Sequence, residues 1–319
     1  MTPSSNAANP HRERNARLAR LPLVETGTSG RFLVGFFRTG QAVWQRRELL
    51  DLLIRREIKA RYKDSALGFV WGLIRPLTQL LIYYLVLGHF LGAARSIPEF
   101  AVFIFSGLTL FGLASEMIMT MTASVVGNAG LIKKVYLPRE IFPLAAAGST
   151  AFNFGLQMLV LIGAALLSGT FVLGWHFLYA IAAIAVVAIW CAALGLAMSA
   201  LNVFLRDIQY LVEVIVMLLM WTSPIVYFWQ FVGTAFGEFG LPSWLVDVYL
   251  ANPLTLGVMG FQAAFWAPGV AGIPPYLEGV PFPEHLMLRM VIAAVLGLVA
   301  FIAAQRLFNR LQGNFAQEL

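Results

Sequence analysis

Residues able to do chemistry are few in this 319-residue chain, and they do not gather. His11, His89, His176 and His285 lie far apart, and Glu238, Asp247, Glu278 and Glu284 show no metal-ligand spacing. A membrane enzyme that transfers sugars or acyl groups needs acids, or His with acids, clustered at one face, so that class is disfavoured. There is no Gly-x-x-x-x-Gly-Lys-Ser/Thr phosphate loop and no Gly-Lys pair anywhere, so the chain cannot hydrolyse ATP itself. No catalytic residue, metal ligand or cofactor is assigned to it. A passive channel is the other class open to such a chain, though nothing in it resembles a selectivity filter or a charged ring.

What remains is a short polar island, residues 127–143, G-N-A-G-L-I-K-K-V-Y-L-P-R-E-I-F-P, which interrupts two long apolar runs and carries Lys133, Lys134 and Arg139. Its chemistry is that of a contact surface. Asn128 can cap a short helix, Leu131, Ile132 and Val135 form an apolar ridge, and the two lysines face water or a partner's carboxylates. Pro138 ends that helix, and Pro143 is tolerated in the first turn of the next. Two acids, Glu116 and Glu213, fall within apolar runs, where an ionisable group faces protein or water. Either each pairs with a neighbouring helix and fixes packing, or it serves a transport path. Arg206 and Asp207 pin a tight turn.

The elements that hold these residues follow from composition. With 59% hydrophobic and 12% charged residues, the chain has more apolar surface than a soluble domain can bury. A bilayer core takes about 20 apolar residues per helix. Six stretches qualify: 69–92, 100–125, 141–167, 177–205, 208–231 and 286–308. Backbone polar groups in lipid must be satisfied internally, so all six are predicted to be helices. Of the Lys and Arg residues, thirteen lie in residues 1–68, three in the 127–140 loop, and Arg206, Arg306 and Arg310 fall on the same side. Arg95 alone marks an opposite loop, with Arg75 and Arg289 near span ends. The positive-inside rule then puts both termini in the cytoplasm. The net charge of +6 is spent on orientation, and nucleic acid is not an expected partner. Cys191 is the single cysteine, so no internal disulfide is possible.

Residues 1–30 lack the apolar core of a signal peptide and read as a disordered cytosolic tail. Residues 31–68 are an interfacial segment, 69–308 the membrane domain and 309–319 a cytosolic tail. Within the interfacial segment, Leu50, Leu53, Ile54, Ile58 and Tyr62 recur on one helical face, while Arg47, Arg55, Arg56, Lys59, Arg61 and Lys63 occupy the others. Asp51 with Arg55, and Glu57 with Arg61, have the favourable acid-before-base order four residues apart. Such a helix lies among lipid headgroups, or it also docks on a cytosolic partner and, with Arg75, guides an anionic headgroup inward. Gly68 and Gly72 would let another helix come close to the first span, and Pro76 should bend it.

Residues 232–285 form the largest external piece and contain no Lys or Arg. The apolar stretch 252–266 within it is too short to cross, and Asn252-Pro253 reads as a cap and first turn. Short re-entrant helices between spans five and six are expected in preference to helices lying on the surface. Tyr227, Phe228 and Trp229 sit at the external end of span five, either as an interfacial aromatic belt or along a path that passes sugars over ring faces. Tyr83 and Tyr84, midway along span one, are the better path candidates, because a phenol hydroxyl in lipid lacks a partner. The fold class is therefore an all-α integral membrane protein with six transmembrane helices per chain.

Taken together, R-R-E-I-K-A-R-Y-K-D-S-A-L-G-F-V-W-G-L-I-R-P-L, L-I-K-K-V-Y-L-P-R-E-I-F-P-L, L-R-D-I-Q-Y-L-V-E-V and T-S-P-I-V-Y resemble the ABC-type polysaccharide export permeases, over roughly residues 45–310. These are the membrane subunits that export O-antigen, teichoic acid, capsule or related cell-wall glycans on a lipid carrier. The chain departs from the pattern at Gly260-Phe261-Gln262, where many relatives have a Tyr-Arg pair. The resemblance implies a homodimer in the plasma (inner) membrane and two copies of a separate cytosolic ABC ATPase that binds ATP and Mg. It also implies a coupling helix matched here by residues 128–136, from Asn128 to Tyr136, with Arg139 beyond it. The alternative in the same superfamily is an exporter of drugs or small lipids.

Overall fold

The computed structural model describes residues 40–41, 43–63, 70–90, 92, 95, 97–135, 137–270 and 282–319. Its helices are α1 (Arg47–Tyr62), α2 (Val70–Tyr83, continued by a π-helical turn Tyr84–Phe90), α3 (Phe100–Gly127), α4 (Ala129–Ile132), α5 (Ile141–Leu167), α6 (Phe177–Phe204), α7 (Ile208–Trp221), α8 (Gln230–Glu238), α9 (Trp244–Leu250), α10 (Pro253–Phe265), α11 (Leu286–Leu311) and α12 (Phe315–Glu318). No strand occurs among the described residues.

Five helices are long and apolar enough to cross a bilayer: α2 with its π turn, α3, α5, α6, and α11 with the turn that follows it. The pair α9 and α10, bent by 71°, would count as a sixth. The expected fifth span, 208–231, is not one helix: α7 ends at Trp221, about 21 Å long at 1.5 Å per residue, and only the last two residues are helical again, at the start of α8. α7 stops where it does because Pro224 has no N–H to donate and the hydroxyls of Thr222 and Ser223 turn back onto the carbonyls of Leu218 and Leu219, at 3.0 and 2.8 Å.

The spans order themselves around α3. Of its most apolar 18-residue window 72% is buried, against 0% for α2, so α3 is central and α2 peripheral. α3 packs on α5, α6 and α10, and α6 also carries α11. The face of the bundle bearing the turn between α3 and α5 will be called the loop face, and its opposite the far face.

α10 settles the placement of the apolar stretch. Every residue from Leu254 to Phe265 is buried, with α3, α6 and α11 around it. The Asn252 side chain accepts the Leu254 N–H at 3.0 Å with Pro253 in the first turn, as the sequence predicts. Gly257 passes so close to its neighbours that a Cβ there would lie 2.5 Å from Val187 and 2.8 Å from Leu110. Farther along, Trp266 Nε1 donates to the Pro98 carbonyl at 2.7 Å, just ahead of α3 on the far face. The helix therefore runs inside the bundle and ends toward the far face, so it does not lie on the bundle's surface; with α9 it forms either a broken span or a re-entrant element. At Gly260-Phe261-Gln262 it is wholly buried, and Gln262 Nε2 donates to the Pro224 carbonyl at 2.8 Å.

Candidate coupling surface

The polar island folds as a tight connection between α3 and α5. α4 is a single turn, Ala129–Ile132. Asn128 does not cap it. Its Nδ2 donates to the Ser124 carbonyl at 2.8 Å, which closes the end of α3 instead, while its Oδ1 accepts from Arg56 of α1 at 2.5 Å. The predicted ridge is split: Ile132 is buried, Leu131 half-buried and Val135 exposed. Lys133 and Lys134 are exposed beside Val135, so two ammonium groups and one apolar side chain project together from the loop face. Tyr136 lies outside the described residues.

The far side of the loop is held differently. Arg139 stands over the ring of Phe315 at 5.6 Å, a cation–π contact. Glu140 is 5% exposed and accepts from Gln312 at 3.1 Å. Burial pushes its carboxyl above the ordinary carboxylate range, an effect that the Gln312 hydrogen bond and nearby Arg139 only partly offset.

α1 frames this surface. Leu53 is buried and Leu50, Ile54 and Ile58 are half-buried, so the predicted apolar face is the one that packs. Its partner is α5. Gly148 gives α1 room, since a Cβ there would stand 2.5 Å from Ile54 Cδ1. Next along, Ser149 Oγ donates to Glu57 at 3.1 Å, and then Arg61 donates to Glu116, a carboxylate that also accepts from Asn153 Nδ2 at 2.5 Å. Contacts at 148, 149 and 153 in that order mean that α1 runs alongside α5 in the same direction, from the loop face into the bundle. Burial raises the Glu57 carboxyl, and Ser149, Arg56 and Arg61 oppose the shift less strongly.

One expected pair is corrected. Asp51 and Arg55 meet at 2.7 Å, but Arg61 reaches Glu116 rather than resting on Glu57. Glu57 already accepts from Ser149, while the Glu116 carboxylate, partly out of water on α3, takes the Arg61 guanidinium together with the Asn153 amide. Lys59 and Lys63 are exposed, and Arg47 lies over Trp44 at 5.8 Å. Arg75 belongs to α2, with its side chain outside the described part; Gly68 is outside as well.

The aromatic candidates separate. Phe228 is 3% exposed, in ring contact with Phe103 at 5.1 Å and Trp266 at 5.8 Å, so it belongs to the protein interior. Tyr227 is half-buried with its hydroxyl donating to the Trp221 carbonyl at 2.9 Å, and Trp229 is half-buried. Tyr83 and Tyr84 are half-buried at the junction where α2 widens into its π turn, and the Tyr84 ring stands edge-on to His89 at 5.0 Å. Glu213 is exposed on α7, which presses only Val212 and Val216 fully into the bundle. No group of three metal-ligating side chains occurs among the described residues. The contacts of Arg56 and Gln312 with the loop were invisible to sequence reasoning, since nothing local marks a residue that reaches 72 or 172 positions away.

A helical bundle of this kind, with a basic turn framed by a docked amphipathic helix, defines a multi-pass membrane protein. The chain belongs to the ABC-2 type transporter family, whose sequence model matches residues 48–266. It is 26% identical to an O-antigen export system permease protein, RfbA, of Klebsiella pneumoniae over 273 residues, covering 85% of this chain and 95% of that one. Its likeness to RfbA of Myxococcus xanthus is also 26%, over 283 residues, covering 88% and 99%. The polysialic acid transport protein KpsM of Escherichia coli is 29% identical over 82 residues, which is 26% of this chain and 32% of KpsM.

Proposed function

We propose that this chain is the membrane subunit of an ATP-driven exporter that moves a lipid-linked polysaccharide across the plasma (inner) membrane. Two copies form the path, and two copies of a separate cytosolic ABC ATPase, which bind ATP and Mg, supply the energy. Both termini and the loop face lie in the cytoplasm. Export permeases among the relatives support the cargo class.

The observation that carries the reading is the exposed group Lys133, Lys134 and Val135 on a loop tied to α1 through Asn128 and Arg56. A motor pressing on those side chains displaces α1 as well. α1 in turn holds Glu116 in the middle of α3 and Ser149 on α5, so a push at the surface reaches the helices that surround the path. The basic residues Arg55, Lys59 and Lys63 on the outward faces of α1 offer an anionic carrier headgroup its first contacts, and membrane lipids bind there otherwise. Tyr83, Tyr84 and Tyr227 are the path residues of this reading, with Phe228 and Trp229 behind them.

Reversing the two lysine charges tests the reading without disturbing the core, which a change at buried Ile132 would do. The variant Lys133→Glu with Lys134→Glu should insert normally, fail to copurify an ATPase from its native host and leave glycan inside the cell. Undiminished copurification together with undiminished export would remove the coupling assignment.

A further inference from the structure

We propose that Gln312 and Phe315 are positioning residues that fasten the exit of the α3–α5 loop, so that the loop is mounted at two points rather than one. The inference rests on the reading of that loop as the motor-docking element. At its entry the loop is fixed by Arg56 on Asn128. At its exit the fixing comes from the opposite end of the chain, where Gln312 donates to Glu140 at 3.1 Å and to Asn309 at 2.9 Å, and the Phe315 ring lies beneath Arg139.

The segment holding these residues has no strength of its own. α12 is four residues long, far below the length at which an isolated helix persists in water. What holds it is Phe315, 0% exposed, wedged edge-on against Phe308 at 5.4 Å and against Phe204 at 6.0 Å. Phe204 ends α6 and Phe308 lies in the last turns of α11, so one ring joins two spans and a loop cation. A fully buried aromatic side chain with a guanidinium over it is an expensive arrangement to leave to a tail without a task. Its placement gives the loop a second lever arm: displacement at Lys133 and Lys134 is passed to α1 by Arg56 and to α6 and α11 by the 312–315 segment. Glu140 strengthens the geometric case, because a carboxylate so deeply covered needs the Gln312 amide as a partner.

Hydrogen exchange read by mass spectrometry on the full chain with its ATPase tests this. Phe315→Ala should raise exchange in residues 128–142 by on the order of ten-fold while the interiors of α3 and α5 keep their protection. The ATPase should still be captured, but export should fall several-fold, and Phe315→Leu, which refills the space, should restore much of both. Unchanged exchange in 128–142, or faster exchange with full export, overturns the proposal. If Phe315→Ala does not insert, Gln312→Ala decides: loop exchange several-fold faster supports the mount, and wild-type exchange overturns it. Failure of the underlying reading looks different, since it appears as ATPase capture by Lys133→Glu with Lys134→Glu whatever the exchange at the loop.

Discussion

Arg61, at the end of the helix that precedes the first span, donates to Glu116 near the middle of α3. Asn153 of α5 donates to the same carboxylate, so one acid ties three helices that are far apart in sequence. The pair is part exposed, with side-chain accessibilities of 38% and 23%, and solvent screening keeps its worth modest.

The losses from changing the two partners of this pair should not add. Glu116→Gln keeps an acceptor for Asn153 but leaves Arg61 without its charge, and about 1 to 2 kcal/mol of stability is expected to be lost. The double variant Arg61→Met with Glu116→Leu should cost less than the sum of its single changes, because no uncompensated charge is left behind. Thermal unfolding in detergent reads both. Additive losses would show that the contact carries no coupling energy.

Gly148 and Ile54 make a steric prediction of definite sign. A methyl at 148 meets Ile54 Cδ1 at 2.5 Å, and the neighbour is a branched side chain on a packed helix. Gly148→Ala should therefore loosen α1, at a cost of about 1 to 3 kcal/mol for overpacking, in spite of the better helix propensity of alanine. Adding Ile54→Ala opens the space and should recover most of the loss. Faster amide exchange in 47–62 that the second change reverses is the signature; a stabilised Gly148→Ala would refute the close approach.

Glu140 makes the loop exit sensitive to pH. Its carboxyl titrates above the ordinary range because of burial, so the ionised form is the one penalised in the folded protein. The stability it contributes is complete below the ordinary carboxylate range and is lost as pH rises through the raised value. Arg139 and Gln312 both favour the charged form and narrow that window without reversing it. Exchange in 137–142 and 312–318, corrected for its intrinsic pH dependence, should be slower at about pH 5 than at about pH 7.5. Glu140→Gln, which can still pair with Gln312, should abolish the difference. Greater protection at the higher pH would reverse the assigned sign.

How far the sequence reached depends on the range of the forces involved. Five long spans follow from apolar run length alone, because lipid leaves a backbone no alternative to a helix. Asn252-Pro253 is equally legible, since a cap and its helix are neighbours. Pro224 marks a break after Trp221, but the apolar residues 225–229 and Phe231 carry the run on, so run length alone overstates the helix, which ends at Trp221. Asn128 looked like a cap for α4 and serves α3 instead, drawn by Arg56 from a helix 72 residues earlier. Phe228 read as a ring on a path or a belt, and only α10 and α3 closing over it reveal an interior side chain. Charge pairing shows the same division: Asp51 with Arg55 is local and was legible, while Arg61 with Glu116 is tertiary and was not.

Tyr83 and Tyr84 give the sharpest test of where cargo passes. α2 contributes little to the interior, as none of its most apolar window is buried, so losing both rings should leave insertion and expression near wild type. The two phenols sit where the helix widens into a π turn, a distortion frequent at functional sites. Sugar C–H faces rest on aromatic rings, so the ring and not the hydroxyl is the expected contact. Tyr83→Ala with Tyr84→Ala should lower glycan export several-fold, while Tyr83→Phe with Tyr84→Phe should keep most of it. If the phenylalanine pair fails as badly as the alanine pair, the hydroxyls carry the function through hydrogen bonds. Wild-type export by the alanine pair would reduce both residues to packing and move the path to another helix, with exposed Glu213 on α7 the next residue to change.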